Sequence, residues 1–395
     1  MRVVHIYKDY HPPTLGGIEH TVERMATGLV RSGAEVTVLT SANGRRRTIE
    51  ETVNGVRVVR VAEWGRALSA PFCPSMFVHL ARLEADIYNL HYPNPTGELS
   101  WLSVRPRGAM VVTWHGDIVR QKALVPIYRP FIHALLRAAD AIMPTSEPQI
   151  RSSEFLSRYR AKCTVVPHGI DLDAFDRVRD HAAFAEEFRA RHRTPIVAFV
   201  GRLVYYKGLN VMLDAMREIP GTLVIVGAGP ERRALEAQRD RLGLTARVVF
   251  AGRVPDVVPY LAAADVGVLP SSHPTENFGL SMVEMMACGI PVVCTELGTG
   301  TTFVNQDRET GLVVPPGDAG ALARAVHALL EDDALRRRMG EAARSRAHRL
   351  FSTEEMMRGL EAVYERVLAG RRAEALQGRG RQAPAGGGDR PDRAR

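Results

Sequence analysis

The chain has 395 residues, more than the ~250–300 residues at which a single hydrophobic core stops growing, so we expect two domains. Its four cysteines form no CxxC pair and its histidines no cluster at zinc spacing, which argues against a disulfide framework or a structural metal. No stretch reaches ~18 uninterrupted apolar residues and the first residues resemble a strand, so we expect a cytoplasmic protein without a membrane span.

The net charge of +8 is concentrated in the first half of the chain. Residues 1–177 contain 22 basic and 17 acidic residues, whereas residues 178–350 contain 21 and 20. A basic half suits an anionic partner such as nucleic acid, acidic lipid or a phosphorylated substrate, and it equally suits a solvated surface. Four of the 52 basic residues are lysines, so a lysine within a motif is informative.

Short β-branched runs alternate with amphipathic helical patterns, which is typical of parallel sheets built from βαβ units. The first half has predicted strands at Val3–Ile6, Glu35–Thr40, Val56–Val61, Ile87–Leu90, Met110–Thr113, Ala141–Pro144 and Thr164–Val166. After the Pro- and Gly-containing linker 167–177, the second half has Ile196–Val200, Thr222–Val226, Arg247–Phe250, Val266–Leu269, Pro291–Cys294 and Leu312–Val314. We predict an α/β protein with two Rossmann-like doubly wound domains, residues 1–177 and 178–351, that face each other across a cleft.

The end of the chain differs in composition from the rest. Residues 352–372 carry a helical pattern, whereas residues 373–395 contain QGRGRQAPAGGGDRPDRAR and few apolar side chains. Such a segment cannot bury enough surface to fold, so we predict a disordered tail. Its arginines suit a solvating role better than contact with lipid or RNA.

Gly16 and Gly17 follow the first strand and open an amphipathic helix. Adjacent glycines allow a ligand to approach the backbone closely, with the N–H groups of the helix start behind it. An ordinary loop before a helix explains the same pattern. Because both sheets direct their carboxyl ends into the cleft, we expect Gly17 to face the basic residues of the second domain and to contact a ligand bound between the domains.

The stretch TWHGDIVRQK, residues 113–122, begins at a strand end. It places His115, Asp117, Arg120 and Lys122 in one polar turn. A histidine there can donate to a sugar hydroxyl or act near a reacting oxygen, so we predict a catalytic role for His115. We assign Asp117 and Lys122 to the acceptor side.

Asp171 and Asp173 form a DLD triplet that also fits a metal-dependent sugar transferase. They lie in the linker, however, where Asp171 fits a turn. We therefore reject a metal site and expect neither a metal nor another cofactor.

The motif GRLVYYKG, residues 201–208, lies between a strand and a helix, where backbone N–H groups and the helix dipole favour an anion. Arg202 and Lys207 add a forked donor and a compact charge, which together suit a diphosphate. GAGPERR, residues 227–233, resembles a dinucleotide fingerprint, but Arg232 replaces its third glycine and no ribose-binding acid follows. We expect a bound nucleotide to contact the backbone at Gly201 and Gly229, and we disfavour an NAD enzyme.

The stretch TENFGLSMVE, residues 275–284, places Glu276 in a loop and Glu284 in the helix that follows. Two carboxylates repel a diphosphate, so we predict that they accept hydrogen bonds from neutral hydroxyls on either side of it. A sugar nucleotide has this layout, with the transferred sugar at Glu276 and the ribose at Glu284. Further donor contacts are predicted at Asn277, Phe278, Gly279 and Leu280.

Taken in order, GGIE, HGD, VPHGID, GRLVYYKG, the glutamate pair and ACGIPVV resemble the family 4 retaining glycosyltransferases, which have the GT-B fold. The resemblance spans nearly the whole folded chain. It implies metal-independent transfer with retention of anomeric configuration, Arg202 and Lys207 on the leaving diphosphate, and Glu276 and Glu284 on sugar and ribose. It also implies that His115 touches the donor sugar and that Gly17, among the donor-binding residues, lies near the diphosphate or the acceptor. The helix over 352–372 would cross back to the first domain.

TWHGDIVRQK and HYPNP, residues 91–95, look like the corresponding stretches of bacterial mannosyltransferases of O-antigen and exopolysaccharide assembly, which makes GDP-mannose the first donor expectation. Asn277 stands where the family often has glycine, and we expect its amide to contact the donor. The expected acceptor is a glycan or a polyprenyl-diphosphate-linked glycan, with no nucleic-acid partner. A lipid-linked acceptor would use the basic first domain, and Arg45–Arg47 and Leu124–Asp140 are the predicted contacts with the anionic inner face of the plasma membrane.

Three alternatives remain open from the sequence. The donor could be a UDP-sugar such as UDP-glucose or UDP-N-acetylglucosamine. The protein could also bind a sugar nucleotide without catalysis, although the intact glutamates and cations argue against this. Finally, a GT-B-like epimerase would convert UDP-sugars without an acceptor.

Overall fold

The computed structural model describes residues 1–13, 16–68, 70–118, 123, 125–192 and 194–380. The first half contains β1 Arg2–Ile6, α1 Gly17–Arg31, β2 Glu35–Ser41, β3 Ile49–Val53, β4 Val56–Val61, β5 Gly65–Ala67, β6 Ala70–Phe72, α2 Met76–Arg82, β7 Ile87–Tyr92, α3 Pro95–Val104, β8 Ala109–Trp114, α4 Val125–Ala138, β9 Ala141–Pro144 and α5 Glu147–Ser152. The second half contains α6 Asp173–Asp176, α7 Ala182–Arg191, β10 Ile196–Val200, α8 Leu209–Ala215, β11 Thr222–Val226, α9 Arg232–Arg241, β12 Val248–Gly252, α10 Val258–Ala262, β13 Val266–Leu269, α11 Leu280–Ala287, β14 Val292–Thr295, α12 Thr301–Val304, β15 Gly311–Val314, α13 Ala319–Glu331, α14 Asp333–Leu350 and α15 Thr353–Gly380.

Two sheets organise these elements. The first has the order β3-β4-β2-β1-β7-β8-β9, parallel except for the edge pair β3 and β4. The second has the order β12-β11-β10-β13-β14-β15 and is parallel throughout. Helices cover both faces of such sheets, which is why all five residues of the strand IVAFV are apolar and buried. The predicted tandem α/β architecture is confirmed.

Two local predictions fail. Residues 164–166 are not a strand. The N–H groups of Thr164 and Val166 donate to carbonyls of β9, but the pairing is limited to a single bridge between Ile142 and Cys163. The edge strand β3 and the hairpin β5–β6 were not predicted, because their mostly polar or very short sequences lack the apolar pattern of the central strands.

Helix α15 packs on the first domain, as predicted. Asn89 Nδ2 on β7 donates to Tyr364 Oη at 2.8 Å, and Arg366 donates to Thr164 Oγ1 at 2.8 Å. The helix continues to Gly380, so the prediction that it ends at residue 372 is wrong. The sequence RRAEALQ that follows Gly370 consists of good helix formers, and this local preference outweighs the lack of apolar surface. Residues 381–395 lie outside the described residues.

The chain crosses between the domains twice, and the two crossings pair with each other. Ile170 N donates to Phe351 O and Thr353 N donates to Ile170 O, both at 2.9 Å, which forms a parallel bridge between Ile170 and Ser352. The first sheet has a core on each face, and the second domain has one continuous core. The carboxyl ends of both sheets are left to form the cleft.

Candidate functional site

The loops after β10 and β13 meet at the middle of the second sheet. These strands are neighbours although β11 and β12 lie between them in the chain. Ligands of doubly wound sheets bind at the carboxyl ends of the strands on either side of such a switch point. GRLVYYKG follows β10 and TENFGLSMVE follows β13, so the fold brings together the two motifs predicted to bind the donor.

Lys207 and Glu276 form a buried ion pair in these loops. Lys207 Nζ lies 2.5 Å from Glu276 Oε2, and the two residues are only 9% and 8% exposed. Ser271 Oγ donates to the same oxygen at 3.0 Å. Glu276 Oε1 accepts no hydrogen bond from the described residues, so one carboxylate oxygen holds the cation and the other is available to a ligand.

Two glycines allow the loops to approach this closely. Gly208 has a left-handed φ of 67°, and a Cβ atom there would overlap the carbonyl oxygen of Pro270. A Cβ atom on Gly229 would overlap the carbonyl oxygen of Leu203, whose N–H donates to Ala228 O at 3.0 Å. Gly208 therefore seats Lys207 beside the β13 loop, and Gly229 packs the β11 turn against the cation motif.

Arg202 is exposed, and its guanidinium makes no hydrogen bond or ion pair with any described residue. Its charge acts across the cleft on Glu19 of helix α1. Burial raises the pKa of Glu19, and the cations Lys8 and Arg202 partly offset this effect. The guanidinium of Arg202 is therefore unpaired among the described residues, and its charge acts on the start of helix α1. Gly201, the residue before it, donates its N–H to Val226 O at 3.0 Å.

The backbone of residues 277–280 presents N–H groups to the cleft side of helix α11. Within the described part of the chain, the N–H groups of Asn277, Phe278, Gly279 and Leu280 donate to no acceptor. Helix α11 begins at Leu280, so its positive dipole end lies behind them. Unpaired N–H groups at a helix start favour an anion.

The first half of the chain contacts this loop at three points. A Cβ atom on Gly17 would lie 3.1 Å from Leu280 Cδ1. The Phe278 ring meets the His168 ring edge-on, with centroids 5.2 Å apart. The side chain of Asn277 is hydrogen-bonded to Gln149 on helix α5 and to Thr145 just before that helix. A contact between Asn277 and the donor, as predicted, would compete with these interdomain bonds.

His115 belongs to a row of four buried, stacked histidines. His5 Nδ1 lies 2.9 Å from His91 Nε2, and His91 Nδ1 lies 3.0 Å from His115 Nε2. His115 Nδ1 lies 3.5 Å from His168 Nε2. Burial lowers the pKa of all four, so the rings are neutral at pH 7. Both nitrogens of His115 face other histidines, and contact with a sugar hydroxyl would require it to give up the longest of these bonds.

Asp117 is occupied by its own domain. Its Oδ1 accepts from Trp114 Nε1 at 2.9 Å and from Ser153 Oγ at 2.8 Å, and its Oδ2 accepts from Glu154 N at 3.3 Å. Burial raises the pKa of Asp117, and these donors partly offset the effect. The geometry is that of a carboxylate that fixes the turn after β8. Lys122, its predicted acceptor-side partner, lies outside the described residues, as does Arg120.

Glu284 faces a residue that the sequence analysis missed. Burial raises the pKa of Glu284 to about 7, while the charges of Arg24 and Lys207 act in the opposite direction. Arg24 lies on helix α1 and donates to Gly169 O at 3.2 Å. Arg24 follows Gly17 by seven residues, or two helical turns, and so lies on the same face of α1. This spacing is the sequence signal that could have pointed to Arg24.

A cavity of about 580 Å³ opens beside this site. Its walls are mostly apolar and come from the first domain, with Asn277 and the Pro274–Thr275 loop on the other side. The lining residues include Lys8, Leu68, His115, Ile127 and Tyr128. The cavity therefore adjoins the loop that carries Glu276, and its volume is large enough to hold a sugar.

The linker aspartates have a structural use. Asp171 Oδ1 accepts from Asp173 N at 3.1 Å, which closes a turn as predicted. Among the described residues, no group of three or more His, Cys, Asp or Glu side chains is placed to hold a metal ion.

Comparison with known proteins identifies the family. The family model Glycosyltransferase Family 4 matches residues 15–174, and the model Glycosyl transferases group 1 matches residues 180–346. The O-antigen chain mannosyltransferase C of Escherichia coli is 33% identical over 372 residues, which is 93% of this chain and 99% of the relative. The chain belongs to glycosyltransferase family 4. The D-rhamnosyltransferase WbpZ of Pseudomonas aeruginosa is 36% identical to this glycosyltransferase, over 89% of the chain and 92% of the relative.

Solved structures establish the fold of the enzyme. Sucrose-phosphate synthase from Thermosynechococcus elongatus superposes with a TM-score of 0.76 and 25% identity, covering 93% of this chain and 99% of that one. Anabaena HepE in complex with UDP-glucose has a TM-score of 0.75 and 19% identity, covering 93% and 100%. The glycosyltransferase has the predicted GT-B fold. None of its described helices is long and apolar enough to span a membrane.

Proposed function

We propose that this glycosyltransferase moves a hexose from a nucleotide-sugar donor to a glycan or lipid-linked acceptor, with retention of configuration, in cell-surface polysaccharide synthesis. The observation that carries the proposal is the meeting of Lys207 and Glu276 beside the unpaired amides of residues 277–280. A cation, N–H donors and a carboxylate in one place match a negative diphosphate that is flanked by neutral hydroxyls.

In the proposed reaction, the bond between the anomeric carbon and the diphosphate oxygen breaks while the acceptor oxygen bonds to that carbon. The acceptor proton passes to the departing diphosphate, so no protein base is needed. Arg202, Lys207 and the loop amides stabilise the negative charge as it develops. Groups placed in this way contribute about 3–4 kcal/mol per critical donor.

Lys207 can serve both partners. An ammonium has three N–H donors, so Lys207 can keep its bond to Glu276 while it donates to a phosphate oxygen. Glu276 Oε2 is engaged by Lys207 and Ser271, and the proposal therefore assigns its Oε1 to a hydroxyl of the transferred sugar and not to nucleophilic attack. Glu284, held near the charge of Arg24, accepts from the ribose hydroxyls.

The proposal includes catalysis without a metal ion, because Arg202 and Lys207 supply the positive charge that a divalent ion supplies in other transferases. Turnover at saturating donor, measured with and without EDTA, tests this point. Loss of activity on EDTA that returns with Mg²⁺ or Mn²⁺ would contradict metal independence.

GDP-mannose is the proposed donor, since a relative that is 33% identical is named as a mannosyltransferase. A UDP-sugar is the second candidate, because HepE, which shares the fold, was solved with UDP-glucose. Thermal shift with GDP-mannose, UDP-glucose and UDP-N-acetylglucosamine separates the candidates. Incubation with the stabilising donor alone completes the test: a new sugar nucleotide formed without an acceptor would indicate an epimerase.

The proposed acceptor enters through the apolar cavity from a membrane surface. Ile127 and Phe131 lie one turn apart on helix α4 and are 75% and 44% exposed, and the exposed Arg45–Arg47 run lies in the same domain. The opposite face of α4 packs into the core through Ile132, Leu135 and Leu136, so the helix has both a core role and an outward apolar edge. Flotation with anionic liposomes at low salt tests the contact. We expect wild-type enzyme to float and the Ile127→Ser/Phe131→Ser variant to remain in solution, and a wild-type enzyme that does not float would contradict it.

A further inference from the structure

Asn277 joins the two domains. Its Oδ1 accepts from Gln149 Nε2 at 3.0 Å, and its Nδ2 donates to Thr145 Oγ1 at 3.3 Å. Among the described residues, these are the hydrogen bonds that connect residues 1–166 to residues 178–351, and Asn277 makes both. A single side chain thus carries the direct polar bridge across the cleft.

The partner of Asn277 is oriented by the first domain alone. Gln149 Oε1 accepts from Thr145 N at 2.8 Å and from Thr145 Oγ1 at 3.1 Å, and both residues are buried. With its oxygen held there, Gln149 has only its Nε2 to present to the second domain. The first domain therefore offers one donor and one acceptor in a fixed arrangement, and an amide side chain complements them.

Asn277 is equally fixed on its own side. The main-chain carbonyl oxygen of Asn277 accepts from Gly300 N at 2.8 Å. Its neighbour Glu276 is held by Lys207 through the carboxylate and by Thr299 through the main-chain carbonyl. The residues that follow carry the unpaired N–H groups at the start of α11. Any movement of Asn277 relative to the first domain therefore moves the amides as well.

We infer that Asn277 is a positioning residue: its two bonds hold the domains in a closed arrangement and so place the N–H groups of residues 277–280 against the first domain. A residue without a side-chain amide at this position would remove both bonds. The effect on the donor depends on the proposed function, whereas the bridge itself does not.

Small-angle X-ray scattering of the full chain without substrate tests the bridge directly. We expect Asn277→Ala and Gln149→Ala each to increase the radius of gyration relative to wild type, and the double variant to match the single ones, since either change breaks the bridge. Asn210→Ala, an exposed asparagine of the second domain, is the control and should leave the scattering unchanged. Unchanged scattering in both single variants would overturn the inference, whichever donor the enzyme uses.

Donor kinetics give the second readout. We expect Asn277→Ala and Gln149→Ala each to raise the donor KM about five- to tenfold with little change in kcat, and their effects not to add. Asn277→Asp keeps the acceptor for Gln149 and loses the donor to Thr145, so it should fall between wild type and alanine. A raised KM in Asn277→Ala with a silent Gln149→Ala would mean that Asn277 binds the donor itself, and it would overturn the positioning role.

Discussion

The ammonium of Lys207 lies 2.5 Å from Oε2 of Glu276, and both side chains are buried. This pair connects the loop after β10 to the loop after β13, so the groups assigned to the leaving diphosphate and to the transferred sugar hold each other in place. A substitution of either residue should therefore disturb the other.

Lys207→Ala should lower kcat/KM about 10²–10³-fold, because it removes a donor to the developing negative charge. It should also destabilise the fold, since Glu276 remains buried without its cation, at a cost of about 3–5 kcal/mol. Steady-state kinetics and urea unfolding measure the two effects. In Lys207→Ala/Glu276→Gln, stability should recover while activity stays low.

Arg202→Ala should lower kcat/KM without loss of stability, because the side chain is exposed and its guanidinium makes no hydrogen bond or ion pair with a described residue. Arg233→Ala, another exposed arginine of the second domain, is the matched control and should be silent. If Arg202→Ala and Lys207→Ala both kept near wild-type kcat/KM, the diphosphate assignment would be wrong.

Gly208→Ala should destabilise the enzyme far more than Gly243→Ala. Both glycines have left-handed φ angles, 67° and 69°, so alanine costs about 1–2 kcal/mol at either site from backbone strain alone. At Gly208 the new Cβ atom also meets Pro270 O, whereas at Gly243 no atom lies within 4 Å. Equal unfolding free energies for the two variants would show that the two loops are not closely packed.

Donor binding should weaken below about pH 7. The pKa of Glu284 is raised to about 7, and an ionised carboxylate is the better acceptor for ribose hydroxyls. The donor KM should therefore rise as pH falls from 8 to 6, and Glu284→Gln should have a high KM without this pH dependence. A pH profile that is the same in wild type and Glu284→Gln would exclude the assignment.

The same shift predicts a change in stability. The carboxyl group of Glu284 ionises near pH 4.5 in the unfolded chain and near pH 7 in the folded one, so folding becomes less favourable as pH rises between these values. Glu284→Gln removes this penalty. Its gain in unfolding free energy over wild type should be larger at pH 8 than at pH 5, as measured by urea titration at both values.

Asp117→Asn should mainly destabilise. Three donors share the Asp117 carboxylate, and an amide can accept from fewer of them and adds an N–H group of its own. We expect a loss of about 1–3 kcal/mol in unfolding free energy with an unchanged acceptor KM. A raised acceptor KM at unchanged stability would instead favour the acceptor-side role predicted from the sequence.

The sequence predicts the architecture well because parallel strands buried on both faces are almost entirely apolar, as in IVAFV and TLVIV. It fails where burial is one-sided or brief, as at β3 and the β5–β6 hairpin. Lys207 and Glu276 are predicted as members of one site because both motifs follow strands whose carboxyl ends open on the cleft. The direct contact between them is not predicted, since it depends on the close approach at Gly208.

Side chains that work across the cleft are the hardest to predict. The relation of Arg24 to Glu284 depends on the approach of helix α1 to the second domain, and the bonds of Asn277 depend on how the domains are placed. The histidine row is also hidden, because its members come from two strands, the turn after β8 and the linker, far apart in the chain. Such features arise from tertiary placement and leave no local pattern.

The paired crossings at Ile170 and Ser352 have a mechanical consequence. Two covalent connections that are hydrogen-bonded side by side allow the lobes to bend or twist about one short axis, but they resist sliding of one lobe past the other. Substrate-driven motion should therefore follow a single rotational path. Cutting the chain at either crossing should leave the lobes associated but free to lose their common alignment.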